Sequence, residues 1–198
     1  MRPSEVPSAD ATRNYINLLF FSDQYYNLAR VGRYKFNKKL SIANRIAGQV
    51  AYENIACEDE IIVKAGEVIS TKQAERIQDC GINEVWLNVN GKKHFVRGNN
   101  QVKLSAVFPC DEKELGVLED VYYPVLMQML KENKTKEKRI ECIRNHTKEL
   151  MITTLTMDDI LATISYYLDL IEGIGKIDNI DHLSNKRVVS VGELLGNA

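Results

Sequence analysis

A strand-rich segment in the middle of this 198-residue chain, with helical patterns on both sides, constrains the fold more than any other feature. Residues 60–64 (EIIVK) are typical of a strand, and the short capped helix pattern after them stops at Gly81. The dipeptide Asn90-Gly91 then separates two strand-like runs, which is typical of a β-hairpin. Residues 102–108 predict a further strand. Together these patterns indicate a small β-rich module inserted into a helical protein.

The two ends of the chain carry helical patterns. The helix signals are an N-cap at Ser8, apolar spacing over residues 120–130 and 139–150, a helix capped by Thr156 that ends at Gly173, and a helix start near residue 188. In the helix after Thr156, one face carries Ile160, Ile164, Tyr167, Leu168 and Ile171. We therefore predict an α+β fold. Residues 1–47 and 151–198 form its helical scaffold, residues 48–125 an inserted small β-barrel-like module, and residues 126–150 a helical connection.

Bulk properties exclude several classes of protein. The net charge is −1 and the sequence pI is about 6.3, so nothing global indicates a nucleic-acid or membrane partner. The chain has neither a long apolar run nor the apolar core of a signal peptide, and we expect a cytoplasmic protein. Its four cysteines form no CxxC pair, which predicts free thiols. Both ends look cut, which suggests a piece of a longer polypeptide.

One segment is locally basic. Residues 24–52 contain no acidic residue, and they hold six cations, Arg30, Arg33, Lys35, Lys38, Lys39 and Arg45. Aromatic residues are interleaved with these cations, at Tyr25, Tyr26, Tyr34 and Phe36. Cations with aromatics suit a phosphate backbone and stacked bases. The alternative is a solvated helix face whose aromatic residues lie in the core.

A polar loop follows the glycine that ends the Thr156 helix. It brings Asp178, Asp181 and His182 close together in sequence, but the other histidines have no ligand-like neighbours at motif spacing. Metal binding or catalysis by this loop is therefore disfavoured. Its carboxylates and cations suit recognition of bases and phosphates, or else a salt-bridged structural loop. The residues alone leave these two uses open.

Two segments resemble the β subunit of bacterial RNA polymerase. Residues 26–40 (YNLARVGRYKFNKKL) are similar to the family segment YDLxxVGRYKxNxKL, and residues 2–7 (RPSEVP) resemble the RPGEPP run upstream of it. Residues 178–195 (DNIDHLSNKRVVSVGELL) resemble DDIDHLGNRRxRSVGELL. The middle module is similar to a barrel-like hybrid module that many bacterial lineages insert at this point.

The resemblance implies a fragment that lines the DNA cleft and contacts the nontemplate strand and downstream duplex during transcription. In the family, the loop reads an unstacked guanine with residues that correspond to Asp181 and Lys186. The full set of DNA-binding candidates is Asp181, Lys186, Arg187, Asn185, Arg33 and Lys35. The implied partners are the β′, α and sigma subunits. The fragment has no catalytic residue and no cofactor of its own, since the resemblance assigns the catalytic magnesium to another subunit. It would be nucleoid-associated in the cytoplasm.

The loop departs from the family pattern at four positions. Lys186 stands where the family has arginine, which removes a bidentate fork. Ser184 replaces a glycine, Val189 replaces an arginine and Asn179 replaces an aspartate. These changes predict weaker guanine recognition. An alternative function is a protein-interaction module, carried by the insert, that docks a transcription partner.

Overall fold

The computed structural model describes residues 8–23, 25–57, 60–186 and 189–196. The helices in these ranges are α1 (Ala9–Phe21), α2 (Ala29–Leu40), α3 (Ile42–Ile46), α4 (Thr71–Asp79), α5 (Leu104–Val107), α6 (Tyr123–Glu132), α7 (Lys136–Asn145), α8 (Thr147–Leu150), α9 (Met157–Ile171) and α10 (Val191–Gly196). The strands are β1 (Val50–Ala51), β2 (Ile55–Cys57), β3 (Glu60–Val63), β4 (Glu84–Val89), β5 (Lys92–Arg97), β6 (Gln101–Val102) and β7 (Val121–Tyr122). The predicted α+β class is confirmed.

The hairpin of β4 and β5 is the centre of the inserted module. Its turn residues Asn90 and Gly91 have φ of 53° and 79°, the left-handed conformation that a two-residue hairpin turn requires. Strand β1 pairs with the other side of β4, which gives the order β1-β4-β5. The pairs β2-β3 and β6-β7 are also antiparallel. Within the described ranges these strands form three small sheets, which do not close into a barrel.

Local signals located four elements of the module, namely β3, α4, β4 and β5. Ser70 and Gln73 form a reciprocal capping box at the start of α4, and Gly81 follows its end with φ of 75°. The strand predicted over residues 102–108 is wrong. Strand β6 covers only Gln101–Val102, and α5 begins at Leu104, which is fully buried against the helices that follow.

Two hydrophobic cores lie along the chain. The first packs α3 and α4 against the β1-β4-β5 sheet, and its fully buried members include Ile46, Ile77 and Leu87. The second lies between residues 102 and 151, around Leu126 and Ile143. Helix α3 was assigned to the flanking scaffold, but it supplies core residues to the insert. The domain boundaries stay a prediction.

Helix α9 buries its polar side. Thr156 and Asp159 form a capping box at its start, and Asp159, Ser165 and Asp169 are buried. On the opposite side Ile164 and Ile171 are more than half exposed. The apolar face that sequence periodicity identifies is therefore directed away from the rest of the described structure.

The cysteine prediction is corrected in part. Cys57 at the end of β2 and Cys80 at the end of α4 form a disulfide, with their Cα atoms 6.2 Å apart. Cys110 and Cys142 are free, as expected. Among the described residues, no helix combines the length and apolar character needed to cross a membrane.

Candidate nucleic-acid interface

A surface groove of about 630 Å³ lies between α2 and the polar loop that follows α9. Helix α2 contributes Lys35 and Lys39, which lie on one side of the helix because they are four residues apart. The loop contributes Asp178, Asn185 and Lys186. The remaining lining residues are mainly apolar or aromatic and include Val31, Phe36, Leu40, Tyr166 and Ile180. The groove thus combines cations at several points with an apolar wall.

The loop is organised by hydrogen bonds to Asn179. Its side-chain oxygen accepts from the Asp181 amide at 3.0 Å, and its carbonyl accepts from the Asn185 side-chain amide at 2.8 Å. Residues Leu183–Asn185 form a 3₁₀ turn. Ser184 lies in that turn, whose backbone conformation any L-residue can adopt. The position therefore does not need a glycine, and serine fits it without backbone strain.

The loop is tied to the helices beneath it by Lys39 and Tyr166. The Lys39 ammonium donates to the Lys176 carbonyl and to the Asp178 carboxylate, each at 2.8 Å. The Tyr166 hydroxyl also donates to the Lys176 carbonyl, at 2.8 Å. Gly175 has φ of 96°, and a Cβ there would lie 2.9 Å from the Tyr166 ring. The close approach of loop and ring therefore depends on glycine.

Lys39 is a fixed cation, whereas Lys35 and Lys186 are exposed. Burial acts to lower the pKa of Lys39, but the hydrogen bond to Asp178 and the contact with Tyr166 outweigh it and raise this pKa above its ordinary value. Lys39 therefore stays protonated at neutral pH. Exposed ammonium groups can bind a phosphate, and the aromatic and apolar wall beside them can pack against the face of an unstacked base.

The structure brings three of the six predicted DNA-binding residues to this groove, namely Lys35, Asn185 and Lys186. Asp181 is exposed in the same loop but is not among the residues that line the groove. Arg187 lies outside the described residues. Sequence reasoning missed Lys39 as a site residue, although its spacing of four from Lys35 was visible.

Arg33 requires a correction. Its side chain is only 3% exposed, and Nη1 bonds to both carboxylate oxygens of Asp159 at 2.8 Å. Its Nε donates to the Ile152 carbonyl and its Nη2 to the Thr154 carbonyl, each at 2.7 Å. The guanidinium is thus occupied inside the fold, and Arg33 is withdrawn as a DNA-contacting residue.

A second buried cation from the basic segment has a similar role. Arg45 donates to Asp169 at 2.7 Å and to the Ser165 hydroxyl at 2.6 Å. His94 of β5 contacts the other oxygen of Asp169 at 2.7 Å. This cluster joins the insert to α9. Neither use considered for the basic segment, contact with nucleic acid or a solvated helix face, therefore applies to Arg33 and Arg45.

Asp158 also connects α9 to the insert. Its carboxylate accepts from Asn100 and from the Tyr122 hydroxyl, each at 2.7 Å, and from Arg97 at 3.2 Å. Burial acts to raise the pKa of Asp158, but these hydrogen bonds outweigh it and hold the pKa below its ordinary value.

Among the described residues, no group of three or more His, Cys, Asp or Glu side chains is arranged to hold a metal ion.

Comparisons with known proteins agree on one class. Residues 144–189 match the family model for RNA polymerase Rpb2, domain 2, a segment that contains α9 and most of the groove-lining loop. The chain is 46% identical over 200 aligned residues to the DNA-directed RNA polymerase subunit beta of Clostridium acetobutylicum. It is 45% identical to that of Acetivibrio thermocellus and 47% identical to that of Clostridium novyi.

These matches define the class as a subunit of a DNA-directed RNA polymerase. More specifically, the chain belongs to the family of bacterial RNA polymerase β subunits. In each of these comparisons the whole chain is aligned, and it spans 16% of the length of the relative.

Proposed function

We propose that residues 1–198 act within an RNA polymerase β subunit and that their groove contacts the unpaired nontemplate strand of DNA during transcription. The observation that carries this proposal is the meeting of Lys35, Asn185 and Lys186 in one groove with an apolar wall. The catalytic residues and the magnesium ion would be supplied by other parts of the assembled enzyme, which would include β′, α and sigma subunits.

The groove provides separate groups for the backbone and for a base. Lys35 on α2 can neutralise a phosphate without reading sequence. Lys186 and the Asn185 amide can donate to the acceptor edge of a guanine, while Phe36 and Tyr166 provide aromatic surface in the lining. Asp181 lies in the same loop and can accept from the guanine amino group.

The test of this assignment is a binding measurement on the assembled polymerase. The DNA contains an open bubble with either guanine or adenine at each unpaired nontemplate position in turn. Lys186→Ala should reduce the preference for guanine at one position by about 1 kcal/mol, or roughly fivefold, because it removes one donor to the base. Lys35→Ala should weaken binding of both bases equally and should reduce the dependence on salt concentration.

Lys176→Ala is the matched control. It removes the same charge from the same loop, and its side chain is not among the groove-lining residues. If Lys186→Ala and Lys176→Ala changed binding to the same extent at every position, the groove would not be the contact surface.

A second candidate function is suggested by the outer surface of the β1-β4-β5 sheet. The Trp86 and Phe95 rings are 4.8 Å apart there, and the Lys93 ammonium lies 4.1 Å from the centre of the Trp86 ring. Such a surface suits a protein partner. The Lys93→Ala substitution in the assembled enzyme should then spare basal transcription and weaken binding of that partner, whereas lost basal transcription would contradict this role.

A further inference from the structure

Helix α9 presents a continuous apolar seam away from the rest of the described structure. The seam consists of Met157, Leu161, Ile164, Leu168 and Ile171, which are between 37% and 65% exposed. A helix on the surface of a globular protein ordinarily directs such a stripe toward the core. In α9 the inward side instead carries Asp159, Ser165 and Asp169.

The orientation of α9 is fixed by buried ion pairs. Asp159 pairs with Arg33 of α2, and Asp169 pairs with Arg45 of α3. Both carboxylates have no exposed surface, so a rotation of the helix that buried the seam would leave charges without partners. The exposure of the seam is therefore a property of the packing and not of a loosely attached helix.

The spacing within the seam indicates a helical partner. Successive members are separated by four, three, four and three residues, which is the repeat that packs along a second helix. The neighbours Ile160 and Tyr167, at the edge of the seam, are also uncharged. Interfaces that are this apolar are typical of permanent packing, since transient interfaces are more polar.

The share of the relatives that the chain covers indicates where this partner comes from. The chain spans 16% of the length of its β-subunit relatives, so most of such a polypeptide lies beyond these residues. We propose that the seam docks an amphipathic helix from the remainder of the same β polypeptide. This inference depends on membership of the β-subunit family and not on the proposed contact with DNA.

Photocrosslinking in the intact, assembled β subunit tests this proposal. A photoreactive amino acid replaces Ile164 in the seam or, as the control, Leu118, which is 63% exposed outside α9. Ile164 should give a crosslink within the β polypeptide, and mass spectrometry should map it to an apolar helical segment outside residues 1–198. A crosslink to another subunit, to DNA or to a second β subunit would overturn the proposal, as would a yield no higher than from position 118.

Substitutions in the seam provide an independent measurement. Leu168→Gln should cause loss of the Ile164 crosslink, whereas the matched change Leu118→Gln should leave it intact. Leu168→Met keeps an apolar side chain of similar size and should retain the crosslink. Retention of the crosslink in Leu168→Gln, or its loss in Leu168→Met when the protein is assembled, would contradict packing through this seam.

Discussion

Replacement of Asp159 by asparagine should destabilise the chain far more than a surface substitution of the same type. The carboxylate accepts two bonds from Arg33, one from Asn99 and two from Thr156, the residue that caps α9. Asp159→Asn preserves the shape of the side chain but removes its charge. The Arg33 guanidinium, which is 3% exposed, would then remain buried without a counter-charge.

The expected cost follows from this burial. Removal of one partner from a buried ion pair typically costs about 3–5 kcal/mol. The total stability of a domain is about 5–15 kcal/mol, so the loss is a large fraction of it. The matched control is Glu60→Gln, because Glu60 pairs with Arg76 and their side chains are 64% and 53% exposed. A pair this exposed contributes less than about 1 kcal/mol.

Urea unfolding of the 198-residue chain, followed by circular dichroism, measures both free energies of unfolding. The double variant Arg33→Met with Asp159→Asn should be more stable than Asp159→Asn alone, because it removes the unpaired buried charge. Equal small losses for Asp159→Asn and Glu60→Gln would refute this account of α9. So would a double variant that is less stable than Asp159→Asn alone.

Three further predictions concern the insert and its attachment. In urea unfolding, Gly81→Ala should lower the free energy of unfolding by about 3 kcal/mol or more and Gly66→Ala by about 1 kcal/mol. Both glycines have positive φ, but only a Cβ at Gly81 would overlap the Tyr123 ring. Equal losses would contradict this explanation. Cys57→Ser should lower stability by about 3 kcal/mol without reductant, because it opens a closed loop, and a loss that persists in full with reductant would contradict that cause. Asp158→Asn should lower the free energy of unfolding at pH 7, and the difference from the parent chain should shrink in acid. The folded-state pKa of Asp158 lies below its ordinary value, so the contribution of this carboxylate is lost as the pH falls through that pKa. A difference that stays constant between pH 7 and pH 2 would refute this.

Local sequence signals predicted β3, α4, β4 and β5 of the insert because the causes of these elements are local. The Asn90-Gly91 turn needs two left-handed residues, and the capping box at Ser70 needs only a glutamine three residues later. Residues 102–108 were misassigned because their apolar run suits a strand as well as a buried helix. Burial of Leu104 in the second core decides that case.

Contacts between distant residues could not be predicted in this way. Arg33 and Asp159 are 126 residues apart, and no local pattern distinguishes their buried pair from a cation that faces solvent. For the same reason, periodicity identified the apolar face of α9 but not the side on which it lies. The resemblance to the β-subunit family suggested Lys186 and Asn185, and the groove adds their proximity to Lys35 and Lys39.

The most direct test of the central claim is a crosslink between the groove and DNA. Lys186→Cys in the assembled polymerase carries a short photoreactive group, and Lys113→Cys, an exposed lysine outside the groove, is the control. On DNA with an open bubble, the group at position 186 should attach to the unpaired nontemplate strand and the control should not. Attachment only to the template strand or to the flanking duplex, or no attachment above the control, would contradict the proposal that this groove holds the nontemplate strand.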